Sequence, residues 1–168
     1  MKTLTLKLQP KSMLDLKKEG MKFYSDWWEN EDFAKEKARK ITVKIPLEFP
    51  TETLNKTWNE ANGMGDLLSA AEYAQILWLH YKKTKEYLYG DYWSWTSSCS
   101  SDGDLVLMGN FDSDGADVYR RGPDYSYPDI GVVFSRQNLD IGNSELLEPR
   151  VLELERKIEI LTEAFKKI

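Results

Sequence analysis

A chain of 168 residues is long enough to bury one full core. Its hydrophobic fraction of 41% and aromatic fraction of 12% exclude a disordered chain. Against 23 basic residues stand 28 acidic ones, for a formal net charge of −5. The acids are scattered along the chain, which argues against direct nucleic-acid binding and gives no concentrated acidic face to mimic it. The lone Cys99 rules out an internal disulfide and a multi-cysteine metal site, and the lone His80 argues against zinc.

Residues 3–8 alternate, with Leu4, Leu6 and Leu8 on one face. That pattern predicts a half-buried strand, not a signal peptide or a membrane span. With one cysteine, the expected location is the cytoplasm or a virion assembled there. Ser12 is placed to cap a helix over residues 13–19 that stops at Gly20. Phe23, Tyr24, Trp27 and Trp28 form an aromatic cluster expected in the core, ahead of a charged helix over residues 31–40. Residues 41–49 alternate again through Ile41, Val43 and Ile45, and Pro46 marks an edge strand or a strand end. Thr51 or Thr53 is expected to cap a short helix through Leu54 and Trp58, followed by a turn over residues 62–65. Asp66 or Ser69 then starts a long helix. Its apolar positions Leu67, Ala71, Ala74, Trp78 and Tyr81, with Leu68 and Leu77, recur at helical spacing. Lys82, Lys83 and Lys85 gather at its C-terminal end, where cations suit the helix dipole. Gly90 closes the unit.

From Asp91 the pattern becomes short strands, predicted over residues 92–96, 105–108, 117–120 and 130–135. The loops between them are rich in Ser, Asp, Gly and Pro, and the spacing predicts an antiparallel meander. Trp93 and Trp95 fall on one face of the first strand, where both are expected to fill the core. Residues 142 and 143 mark another turn, and residues 144–168 read as a helix with Pro149 in its first turn. Val151, Leu154, Ile158, Leu161, Phe165 and Ile168 repeat at the three-four spacing of a coiled-coil seam. Such a stripe suits a homo-oligomer, or packing back onto the domain.

At residues 57–73 the sequence TWNEANGMGDLLSAAEY resembles the helical region of C-type-lectin-like domains, through Trp58, Ala61, Gly65, Leu68, Ser69 and Glu72. GDYWSWTSS at 90–98, FDSDG at 111–115 and IGVVFSR at 130–136 are similar to the Trp strand, turn and closing strand of bacterial relatives of that fold. Those relatives are the sulfatase-modifying formylglycine-generating type and the short "YWSST" domains. The resemblance covers residues 41–136 and implies an α+β fold. It leaves both ends unexplained, and with the patterning it gives three expected parts: a strand-helix extension over 1–40, a C-type-lectin-like core over 41–143 and a terminal helix over 144–168. The chain lacks the lectins' paired cysteines and their Glu-Pro-Asn, Gln-Pro-Asp and Trp-Asn-Asp triplets, and it lacks the catalytic cysteines of the sulfatase-modifying enzymes. What the resemblance implies is therefore a scaffold for displaying loops, with no transferable active site.

Cys99 and His80 are the only thiol and imidazole, and Cys99 sits near Asp102 and Asp104 in sequence, a setting that opposes thiolate formation. No catalytic residue is expected, and the chain is read as a non-enzyme. Asp102, Asp104, Asp112, Asp114 and Asp117 offer oxygens to calcium, but DSDGAD does not fit the EF-hand loop and reads as turn chemistry. No metal or cofactor is expected. Arg120, Arg121, Asp124, Tyr125 and Tyr127 combine residue types enriched at binding hot spots on a Pro/Gly-shaped loop. With Asp112 and Asp114 they form the expected partner-binding set, and the partner is expected to be a protein first and a glycan second. Two alternatives come from other classes. One is a phage-encoded inhibitor of a host nucleic-acid-binding defence enzyme. The other is an oligomeric virion subunit assembled through the terminal helix.

Overall fold

The computed structural model describes residues 2–135. The expected turn at 142–143 and the helix with Val151, Leu154, Ile158, Leu161 and Phe165 lie outside the described residues. Within them the architecture is α+β, with four α-helices and two sheets. No described helix is long and apolar enough to cross a membrane.

Strand β1 (Thr3–Lys7) pairs antiparallel with β2 (Thr42–Pro46), and Pro46 ends its strand as its missing N–H requires. Between them, Ser12 caps α1 (Met13–Glu19) in a capping box with Asp15, and Gly20 stops it at φ 115°. The charged helix expected over 31–40 shrinks to α2 (Asp32–Lys35). Tertiary bonds override helix propensity there: the Ala38 amide donates to Lys11, and the extended chain carries Arg39 onto Glu72. Of the aromatic cluster expected in the core, Tyr24 is instead 67% exposed, whereas Trp27 and Trp28 are structural. Their indole N–H groups donate to the carbonyls of Val118 and Ser25, and Trp28 is fully buried.

The expected helix from Thr51 through Trp58 is two pieces, a 3-10 turn at Thr51–Thr53 and α3 (Trp58–Asn62). Thr57 with Glu60 forms α3's capping box, a signature present in the sequence. Ser69, one of the two expected caps, starts α4 (Ala70–Thr84), again in a box with Glu72. Leu67 and Leu68 therefore precede the helix, and Leu67 bridges to Phe134 instead. The apolar stripe understated the burial of α4. Tyr73, Gln75, Ile76 and His80 are buried as well, because α1 and α2 press on one side while a sheet presses on the other.

That sheet has the order β5-β4-β3-β6, built from β3 (Trp93–Cys99), β4 (Leu105–Asp112), β5 (Gly115–Arg121) and β6 (Ile130–Gly131). The first three form the expected antiparallel meander. The fourth departs from it: β6 is short and pairs parallel to β3, because the chain after β5 crosses to the far edge instead of turning back. One face of the sheet carries Val106, Met108 and Val118 into a core shared with α4 and with Leu8, Met13, Leu16, Trp28 and Phe33. Residues 1–40 are thus integral to the main core. The opposite face carries Trp95 and Leu107 into a second cluster with Ala61, Leu67, Ile130 and Val132. Two tryptophans interlock there: Trp58 Nε1 donates to Thr96 and Trp95 Nε1 to Lys56.

Candidate functional site

The second face of the sheet is covered along most of its length, and its uncovered end forms a hollow of about 160 Å³. Trp93, Leu107, Tyr119, Arg121, Tyr125, Tyr127, Asp129 and Ile130 line it. Side chains alternate along β5, so Tyr119 and Arg121 share this face and Arg120 takes the other. At Gly109, opposite Trp93 in the register, a Cβ would lie 2.6 Å from Trp93 Cα and 2.9 Å from Cγ. The bare glycine lets the indole lie over β4, where its ring comes 6.4 Å from that of Tyr119.

Residues 122–129 supply the opposite wall, and two turns of the same kind shape them. Gly122 accepts from the Tyr125 amide across Pro123 and Asp124, and Tyr127 accepts from the Ile130 amide across Pro128 and Asp129. Proline at the second position of each turn presets the backbone. The loop is then pinned at both ends. Asn59 Nδ2 donates to Asp124 Oδ1 at 2.8 Å and the Asn59 amide to Pro123, while the Trp93 amide donates to Asp129. Tyr125 and Tyr127 stand parallel, with centroids 6.4 Å apart and planes 3° from each other. Across the hollow, the Arg121 guanidinium lies 4.1 Å from the Tyr119 ring and 5.1 Å from that of Tyr125. Arg121 is thereby held against two aromatic rings. Tyr119 and Tyr127 nevertheless remain 45% and 53% exposed.

The expected partner-binding residues are only partly gathered. Arg121, Tyr125 and Tyr127 meet in the hollow. Asp124 anchors the loop from outside it. Arg120 packs over Trp27 on the other face and pairs with Asp102 at 3.4 Å and Asp104 at 3.9 Å. Asp112 and Asp114 sit at the β4-β5 hairpin, on the order of 20 Å along β5 from Arg121. There the Asp114 amide donates to Asp112 Oδ1, which is turn chemistry, and Asp112 borders a separate aromatic hollow with Trp78, Tyr81, Tyr87 and Phe111. Trp93, Tyr119 and Asp129 were missing from the expected set. The i, i+2 spacing of Tyr119 and Arg121 on a strand was the available signal for one of them.

The lone imidazole and thiol lie in different settings. His80 is buried on α4 with Nε2 3.8 Å from Glu86, whereas Cys99 is exposed at the end of β3. Among the described residues no group of three or more His, Cys, Asp or Glu is arranged to hold a metal ion. No family model, curated protein or solved structure matches the chain, so the functional reading rests on the geometry of this face.

Proposed function

We propose that the protein is a non-enzymatic binding module that recognises a protein partner, with a glycan as second choice, through the hollow around Arg121. The observation that carries this reading is Arg121, held against aromatic rings, with its half-exposed tyrosines. Tyr and Arg held rigidly in a concave, partly desolvated setting are what binding hot spots are made of, because little side-chain entropy is left to lose on association. The two proline turns extend that preorganisation to the backbone. The α+β architecture and the helix-to-Trp-strand order are compatible with the C-type-lectin-like resemblance, in which loops are the displayed part.

The test is affinity capture from a lysate with the wild-type chain beside a variant carrying Arg121→Ala, Tyr125→Ala and Tyr127→Ala. A species retained by the wild type and lost by the variant is expected, with the variant still unfolding cooperatively. Undiminished capture by the triple variant removes this surface as the binding site.

A further inference from the structure

Three arginines lie among the described residues, and two have carboxylate partners: Arg39 pairs with Glu72, and Arg120 with Asp102 and Asp104. Arg121 has none within ion-pairing distance among those residues, although it sits in the hollow. Its Nη1 donates to the Arg120 carbonyl at 3.0 Å. The guanidinium lies against the rings of Tyr119 and Tyr125, and what it has left to offer is its remaining N–H donors. A cationic ligand would find the tyrosine faces already occupied by a cation. An anion would find a donor fork already oriented, at low entropic cost. The hollow, about 160 Å³, falls below the roughly 300–1,000 Å³ typical of small-molecule pockets and suits one inserted side chain.

We infer that Arg121 receives the carboxylate of a glutamate or aspartate side chain from a protein partner, inserted into the hollow beside Trp93 and Tyr127. This rests on the binding-surface reading and specifies what that surface takes. Asp129 also lines the hollow, beyond ion-pairing distance of Arg121, and opposes a second carboxylate. Replacing it with Asn should tighten the interaction.

The test is an NMR titration of the full chain with the capped peptide acetyl-Gly-Glu-Gly-amide, following the Arg121 Nε–H and Trp93 Nε1–H resonances. Saturable shifts in the millimolar range are expected. Binding of the Gln analogue should be weaker by roughly tenfold, the size of a lost charge-assisted hydrogen bond. Arg121→Met should abolish the Trp93 Nε1–H shift, the signal that variant retains, and Asp129→Asn should strengthen binding. Equal response to the Gln peptide, no response to either, or unchanged shifts in Arg121→Met overturns the inference. So does tighter binding of glucuronate or methyl phosphate than of the Glu peptide, since the carboxylate source would then not be a protein side chain. A silent titration alongside capture lost in the triple variant would leave the binding surface standing and remove only the carboxylate anchor.

Discussion

Glu72 joins the two halves of the main core, and its removal tests that claim directly. Its side chain is 1% exposed and accepts four hydrogen bonds. Oε1 takes the Ser69 amide at 2.9 Å and Arg39 Nη2 at 3.0 Å, while Oε2 takes the Arg39 amide at 2.9 Å and Arg39 Nε at 2.7 Å. One carboxylate thus caps α4 and holds the extended chain that follows α2. Removing one partner of a buried ion pair costs about 3–5 kcal/mol when the surviving charge stays buried. Arg39 is 53% exposed and can rehydrate, so the lower figure of about 2–3 kcal/mol is expected for Glu72→Ala. For a chain of this size that lowers Tm by roughly 5–10 °C. Glu72→Gln keeps the shape and one acceptor and should lose about 1–2 kcal/mol. Urea denaturation followed by tryptophan fluorescence measures both.

The pH dependence gives Glu72 a second, independent readout. Burial alone raises the Glu72 pKa, but the Arg39 guanidinium and the Ser69 and Arg39 amides outweigh it, leaving the carboxyl below its ordinary value. A depressed pKa means the folded state holds the proton less tightly than the unfolded state, whose value is about 4.3. The stabilisation is therefore complete above that pH and is lost as pH falls through the folded-state value. The gap between wild type and Glu72→Gln should be full at neutral pH and shrink below about pH 4. A loss under about 0.5 kcal/mol for Glu72→Ala, or a gap constant down to about pH 3, would refute the reasoning.

Two further substitutions probe the scaffold around the hollow. In Gly109→Ala the new Cβ would meet the Tyr92 carbonyl oxygen at 2.3 Å and Trp93 Cα at 2.6 Å, both backbone. Neither can yield without shifting β3, so a loss of at least about 2 kcal/mol is expected, together with a changed near-UV dichroism from Trp93. Tyr89 is buried, its hydroxyl donates to the Pro46 carbonyl at 2.6 Å, and burial raises its pKa well above the ordinary tyrosine value. Tyr89→Phe should cost about 1 kcal/mol in urea midpoint measurements, with the binding surface intact.

What could be read from the sequence was whatever neighbouring residues decide. Ser12 with Gly20, and Ser69 with Glu72, bound their helices through local hydrogen bonds. The antiparallel β3-β4-β5 meander follows from strand length and turn composition. What failed depends on distant partners. Residues 36–40 are helix formers held out of a helix by Lys11 and Glu72, and β6 joins β3 after the chain has passed through β4, β5 and an eight-residue loop. No local pattern encodes either pairing.

The hollow lies between these cases. Arg120 and Arg121 read as one basic pair in sequence, yet strand alternation alone sends them to opposite faces. The sequence could have separated them once β5 was recognised as a strand. It could not have shown that Asp102 and Asp104, in the loop before the neighbouring strand β4, would pair with Arg120, while Arg121 has no carboxylate partner among the described residues. Local alternation therefore identifies which arginine shares a face with Tyr119, while long-range pairing decides which one lacks a carboxylate partner among the described residues. An anion site at Arg121 requires both, and they come together only in the folded sheet.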